Sequence, residues 1–199
     1  SQIRNAIYAL SNFSTEVADQ VITVEDSVDT MEVEIDHELS SIIARRQPTA
    51  RDLRLLIAIS KATANLERVG DEAEKVARMV KSIIQSGAAR SLPSSELRVS
   101  AEKASGMLRK ALDSFARLDV QAAVAVLKED DTIDREFDGF VRKLITYMIE
   151  DPRKISASLD LLFLAKAIER IGDHAKNIAE LIIYIVKGTD VRHTSIEKI

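Results

Sequence analysis

The chain has 199 residues and a formal net charge of −4, so it can form one large domain or two small ones, and direct nucleic-acid binding is not expected. Only 4% of its residues are aromatic, and glycine (6) and proline (3) are rare, a composition typical of all-α proteins with long helices. Disulfides and thiolate zinc sites are excluded because cysteine is absent, and the lack of a leader or of a long uncharged apolar run predicts a cytoplasmic protein.

The first half of the chain predicts three helices. Apolar residues spaced three or four positions apart occur from the first residues of the sequence and predict a short first helix. Ser14 is a favourable N-cap for a long second helix that ends before Pro48. Thr49, with Asp52 three residues later, has the pattern of a capping box and predicts a third helix that runs to about residue 86.

The second half repeats this arrangement after a stretch with turn composition. Asp119 caps the fifth helix, and Pro152 suits the first position of the sixth. The predicted organisation is a first three-helix repeat over residues 1–86, a linker over 87–95, a second three-helix repeat over 96–187 and a C-terminal tail over 188–199 that is either frayed or ordered by a partner.

One eight-residue segment occurs twice, as LERVGDEA at residues 66–73 and as IERIGDHA 102 residues later. A generic amphipathic pattern fixes hydrophobicity but not which acids recur, so the repeat indicates two tandem, pseudo-symmetric three-helix bundles. Each copy carries a Glu and an Asp four residues apart, a spacing that places both on one helical face with Cβ atoms about 5–6 Å apart. A second acidic pair recurs at a shift of 105 residues.

These repeated acids are the candidate metal ligands: Glu25, Asp29, Glu67, Asp71, Asp130, Asp134, Glu169 and Asp173. If the two helical faces of one half meet, four carboxylates converge. All-oxygen sites suit magnesium, manganese or iron(II), and also zinc or calcium, so the sequence does not specify the metal.

Gly70 and Gly172 stand in mid-helix, where glycine costs about 1 kcal/mol relative to alanine. They indicate either close helix packing or room for an ion beside the acids. Arg68 and Arg170 follow the glutamates and point about 100° away round the helix. We interpret them as surface residues or as partners in ion pairs between helices.

The histidines do not form a duplicated site. His37 makes one Glu-x-x-His motif with Glu34 that the second half lacks, whereas a ferritin-like di-iron centre needs two. His174 stands where the first copy has Glu72, so we expect a surface role for it. No Ser-His-Asp pattern, glycine-rich phosphate loop or nucleophilic cysteine is present, and catalysis is therefore the less favoured interpretation.

Four segments resemble the PhoU family of phosphate-uptake regulators over nearly the whole chain. They are RRQPTARDLR at residues 45–54, LERVGD at 66–71, TYMIED at 146–151 and IERIGD at 168–173. The family has paired three-helix bundles and acid-x-x-x-Asp motifs that bind metal ions or clusters, and all four motifs match here at the eight acids named above. The first helix is shorter than is usual in the family.

The resemblance implies a non-enzymatic cytoplasmic regulator that restrains phosphate uptake and the phosphate-starvation (Pho) regulon. It would couple the phosphate ABC transporter, through its ATPase subunit, to a sensor histidine kinase. Self-association as a homodimer and a peripheral position at the inner membrane face through these partners are further implications.

Two other interpretations remain open from the residues. One is a carboxylate-bridged metal-binding enzyme or metal store, which turnover of oxygen or accumulation of iron would indicate. The other is a structural helical rod whose acids are solvated.

Overall fold

The computed structural model describes residues 2–87, 93 and 95–191, without the side chains of Glu25 and Asp26. Six α-helices follow in order: α1 (Gln2–Asn12), α2 (Thr15–Arg46), α3 (Ala50–Gln85), α4 (Ser95–Arg117), α5 (Val120–Glu150) and α6 (Ile155–Lys187). The described residues contain no strand, so the all-α prediction is confirmed. None of the helices within these ranges combines the length and the apolar character needed to span a bilayer. Most of the predicted linker and tail (88–92, 94 and 192–199) lies outside the described residues.

The starts of the two equivalent long helices follow the sequence prediction. Ser14 adopts an extended conformation, and its hydroxyl accepts a hydrogen bond from the Val17 N–H at 3.3 Å. Asp119 does the same for α5, accepting from the Ala122 N–H at 3.0 Å. In both cases a short polar side chain satisfies one of the free N–H groups of the first turn.

The predicted start of α3 is confirmed in position, since α3 begins at Ala50 directly after Thr49, but the predicted capping bond of Thr49 and the predicted start of α6 are corrected. Thr49 makes no side-chain cap bond. Ala50 has a positive φ of 49°, and in this tight turn the Asp52 N–H donates to the Thr49 carbonyl at 3.2 Å instead. Pro152 does not open α6 but a short 3-10 turn, Pro152–Lys154, and α6 begins at Ile155. The predicted end is confirmed, since Gly188 caps α6 with a φ of 74°.

The two groups of three helices meet along α3 and α6, which run antiparallel. At one end, the Arg54 guanidinium lies beside Gly188 and donates to the Ile185 carbonyl at 3.5 Å. At the other end, Ser82 donates to Asp160 Oδ2 at 2.7 Å. Because α6 also packs against α4 and α5, it is the most buried helix of the fold.

The first bundle is less covered than the second. Helix α4 has 23 residues and α1 has 11, so α1 corresponds only to the C-terminal half of α4. In the second bundle, the N-terminal half of α4 covers α5, where Ser100 donates to Glu136 at 2.9 Å and Phe140 is 4% exposed. The α2 residues at the equivalent positions, Met31 and Ile35, are 52% and 37% exposed.

Candidate metal centre

Three carboxylates from two helices meet in the second bundle. Asp130 and Asp134 lie one turn apart on α5, and Asp173 faces them from α6. Each offers an oxygen atom that lies within 4.8 Å of those of the other two. Such a cluster of oxygen donors could hold a metal ion.

Asp130 is the most informative member of this cluster. It is 1% exposed, and its Oδ2 accepts a hydrogen bond from Lys176 Nζ at 2.6 Å. Its Oδ1 is also buried but has no hydrogen-bond partner. A buried carboxylate oxygen without a donor is costly, and a bound cation would satisfy it. The donor set therefore fits a hard divalent ion.

Gly172 lies against the same oxygen. A Cβ atom at this position would come within 3.1 Å of Ile133 Cδ1 and 3.7 Å of Asp130 Oδ1. Both interpretations of this mid-helix glycine are therefore supported, since the missing side chain lets α6 approach α5 and also leaves space beside the unpartnered carboxylate.

Burial and neighbouring negative charges raise the pKa values of Asp134 and Asp173. Burial, followed by the charges of Glu169, Asp130 and Asp134, raises the pKa of Asp173 to about 6. Burial and then the charge of Asp130 raise the pKa of Asp134. Burial and mutual repulsion thus disfavour the charged form of these carboxylates, and a bound cation would relieve the repulsion.

Glu169, the fourth acid predicted for this half, has a protein partner. Lys166 Nζ lies 2.7 Å from its Oε1 and 2.6 Å from its Oε2. Glu169 is not part of the three-acid group, although its charge acts on Asp173 and Asp134.

The first bundle has a looser counterpart. Burial, followed by the charges of Asp71, Glu32 and Asp29, raises the pKa of Glu67. Three of the four predicted acids of this half are thus close enough to interact. The side chain of Glu25, the fourth, lies outside the described residues.

Sequence reasoning missed three charged residues of these sites: Glu32, Lys166 and Lys176. Comparing the two halves of the sequence cannot identify these residues, because none of them is repeated. The equivalent positions in the other half hold Phe137, Ala64 and Glu74, respectively. For Lys166 a signal existed in its spacing of three residues from Glu169, which favours an ion pair along a helix.

The residues beside the acids connect the two bundles. Arg170 Nη1 donates to Glu72 Oε1 on α3 at 3.3 Å, so the predicted ion pair between helices is confirmed for Arg170. His174 Nδ1 lies 3.0 Å from Asn65 Oδ1. His174, for which we predict a surface role, is half-buried because α3 packs over this face of α6, and its ring lines the cleft there.

Comparisons with known proteins agree with this architecture. The PhoU domain family matches residues 1–80 and 97–182. A Burkholderia protein described as a phosphate-specific transport system accessory protein PhoU homolog is 51% identical over 199 residues, which are 100% of this chain and 85% of the relative. The accessory protein PhoU of Escherichia coli K12 is 45% identical over 196 residues, covering 96% of this chain and 79% of the relative.

Solved structures show the same fold. The crystal structure of PhoU from Pseudomonas aeruginosa superposes with a TM-score of 0.88 at 44% identity, covering 94% of this chain and 90% of that one. The regulatory protein PhoU from Streptococcus pneumoniae superposes with a TM-score of 0.87 at 23% identity, covering 96% and 88%. Six helices arranged as two three-helix bundles, the duplicated acidic motifs and these matches together show that the chain belongs to the PhoU family.

Proposed function

We propose that this protein is a non-enzymatic negative regulator of phosphate uptake and of the phosphate-starvation regulon. The observation that carries the proposal is its identity of 51% and 45%, over nearly its whole length, with phosphate-specific transport system accessory proteins. In this role it couples the ATPase subunit of a phosphate ABC transporter to a sensor histidine kinase at the cytoplasmic face of the membrane. While phosphate is plentiful, the kinase then stays inactive.

The chemistry of the described site supports an adaptor rather than an enzyme. Two acids at or beside the site, Asp130 and Glu169, are bound by lysines of the same chain, at 2.6 Å between Lys176 Nζ and Asp130 Oδ2 and at 2.7 Å between Lys166 Nζ and Glu169 Oε1. The sequence supplies no nucleophile paired with a base. The alternative, a carboxylate-bridged metalloenzyme or metal store, predicts oxygen turnover or iron accumulation in metal-loaded protein.

A starvation-promoter reporter tests the regulatory proposal in phosphate-rich medium. Expression should rise in a deletion strain, because the kinase loses its restraint while the transporter still operates. A strain carrying Glu169→Gln with Asp173→Asn, at matched protein level, should be affected less than the deletion. Normal repression in the deletion strain would refute the regulatory role. If the acid variant is folded and abundant but as defective as the deletion, the metal is central to the signal.

A structural divalent ion is the second part of the proposal. In the second bundle Asp130, Asp134 and Asp173, with Glu169 nearby, would hold it, and the unpartnered Asp130 Oδ1 supports this assignment. The ion, magnesium, manganese, iron(II) or zinc, would supply positive charge that ties α5 to α6. The first-half ligands would be Glu25, Asp29, Glu67 and Asp71.

We also propose that the protein forms a homodimer through an apolar stripe on the α5–α6 hairpin. The stripe consists of Ile145, Ile149, Ile155, Leu159 and Phe163, which are 47%, 76%, 41%, 39% and 61% exposed. Exposed apolar surface of this extent is typical of interaction sites.

A further inference from the structure

The pseudo-symmetry between the two bundles is broken at one ion pair. The 102-residue repeat relates Arg68 to Arg170 and Glu72 to His174. On one side of the α3–α6 interface, Arg170 donates to the Glu72 carboxylate at 3.3 Å, and Lys75 donates to the same oxygen at 2.7 Å. On the related side, the carboxylate is replaced by the imidazole of His174.

Arg68 consequently lacks the partner that its counterpart has. Within the residues that the structure describes, Arg68 forms no ion pair, whereas Arg170 does. The imidazole cannot replace the missing acid, because a guanidinium binds strongly to the two oxygens of a carboxylate or phosphate and a neutral ring offers at most one acceptor.

The place of the missing carboxylate opens onto a cleft between the bundles. Arg68, His174 and Asn177 all line this cleft, whose volume is about 770 Å³. A water molecule takes up about 30 Å³ in the liquid, so the cleft has ample room for a hydrated ion of several atoms. Asn177 Nδ2 donates to Asn65 Oδ1 at 3.1 Å, and because an amide nitrogen carries two hydrogens, one donor remains for a ligand.

The charges around this position leave Arg68 available. Glu72, the buried acid that lines this cleft, is bound by both Arg170 and Lys75. Burial lowers the pKa of His174, against the opposing charge of Glu72, so the ring is neutral at pH 7. The cleft also contains Asp71, Asp173 and Glu180, and a bound anion must therefore be held by direct donors rather than by the overall charge of the cleft.

We propose that a small oxyanion binds Arg68 in the cleft beside the His174 imidazole, on the side of the α3–α6 interface that corresponds to the Arg170–Glu72 pair. The symmetry supplies the donors: Arg68 corresponds to Arg170, and Asn177 corresponds to Lys75. Phosphate, sulfate and carboxylates share the chemistry that this pair recognises. The proposal rests neither on the metal assignment nor on the proposed regulatory role, although Asp71 and Asp173 of the acidic clusters line the same cleft.

Thermal unfolding in chelator at constant ionic strength tests the site, with inorganic phosphate, sulfate and acetate as probes and chloride as reference. The wild-type chain is compared with Arg68→Gln, which removes the donor, and with His174→Glu, which supplies the missing acid within the chain. Arg78→Gln is the matched control, because Arg78 pairs with Glu74 on the exposed side of α3 at 2.5 Å. Isothermal titration with the same probes gives the Kd.

At an oxyanion concentration ten times the Kd, the midpoint temperature of the wild type and of Arg78→Gln should rise by about 3–6 °C. Arg68→Gln and His174→Glu should lose this shift. General salting effects would appear equally in all four proteins. The probe with the largest response identifies phosphate, sulfate or carboxylate as the preferred ligand. The proposal is overturned if the wild type responds to no oxyanion beyond chloride, or if either Arg68→Gln or His174→Glu keeps the full shift.

Discussion

Lys176 Nζ lies 2.6 Å from Asp130 Oδ2, so the most buried carboxylate of the acidic cluster already has a cation from its own chain. The other oxygen of Asp130 remains without a donor. Lys176 thus compensates part of the negative charge of the cluster when no metal is bound, and its ammonium group opposes the entry of a second cation.

Replacing Lys176 with methionine should affect the metal-free and metal-bound protein in opposite directions. Without metal, Lys176→Met leaves Asp130 buried and unpaired, and the free energy of unfolding should fall by about 1–3 kcal/mol. Affinity for Mn²⁺ should rise, because the competing charge is gone. Urea unfolding in chelator and isothermal titration measure the two effects. Lys128→Met, at an exposed position of α5, is the control, and weaker Mn²⁺ binding by Lys176→Met would contradict the prediction.

Divalent ions should raise the thermal stability of the protein, because they bind clustered carboxylates in the folded state only. Asp130→Asn with Asp173→Asn should remove the part of the metal-induced stabilisation that comes from the second bundle. Glu67→Gln with Asp71→Asn should remove the part that comes from the first bundle. Stability without metal should stay equal or increase in both. Differential scanning calorimetry with and without Mn²⁺ measures the shift, and Asp138→Asn is the control. A double variant that keeps the whole shift would show that its acids are not ligands.

The raised pKa of Asp173 predicts how stability depends on pH without metal. The folded pKa of about 6 lies above the usual aspartate pKa of 3.8, so between these values the folded state binds more protons than the unfolded state. The contribution of Asp173 is therefore complete below about pH 4 and is lost as the pH rises through about 6. Since the carboxyl is only half-buried, the loss is about 1–2 kcal/mol after allowance for screening.

Asp173→Asn tests this dependence. In chelator the variant should be more stable than the wild type at pH 7.5, and the difference should disappear near pH 4. Parallel stability curves across this range would show that Asp173 titrates normally.

Gly172→Ala should separate helix packing from metal binding. The new methyl group would meet the flexible end of Ile133 at 3.1 Å, and this cost is offset by the better helix propensity of alanine, about 1 kcal/mol. The metal-free stability should therefore change little. The Mn²⁺-induced shift in midpoint temperature should decrease, since the methyl lies 3.7 Å from Asp130 Oδ1. An unchanged shift would mean that the glycine serves packing alone.

Ile149→Ser with Phe163→Ser should weaken the proposed homodimer. These residues are 76% and 61% exposed, so replacing them removes apolar interface without disturbing the core. Sedimentation at tens of micromolar should show a species above 22.1 kDa for the wild type and the monomer for the variant. Val33→Ser, at a 69% exposed position of α2, is the control. A wild-type chain that sediments only as a monomer would refute the dimer.

Sequence alone predicts those features of the fold that depend on local chemistry. The caps at Ser14 and Asp119 are visible because a short polar side chain precedes a periodic apolar run, and the end of α6 is visible in Gly188. The missing side-chain cap bond of Thr49 is not visible in the sequence, since it accompanies the positive φ of Ala50, a conformation that alanine rarely adopts.

The sequence predicts those residues of the candidate site that recur in both halves of the chain. Asp130, Asp134 and Asp173 recur in equivalent pairs, and the structure brings them together. A comparison of the two repeats does not identify Lys176, because its contact with Asp130 depends on how α6 is aligned against α5. The environment of His174 likewise follows from the packing of α3 on α6, which no local pattern encodes.

The contacts at both ends of the α3–α6 interface, including that of Arg54 with the end of α6, predict that the two halves of the chain unfold together. The first turn of α3 holds the Ile185 carbonyl, one of the last-turn acceptors that an isolated helix leaves unsatisfied, and Ser82 holds Asp160 at the opposite end. Neither bundle can therefore unfold without freeing groups of the other. Although the gene encodes two similar halves, heat should melt them in one calorimetric transition with equal van't Hoff and calorimetric enthalpies.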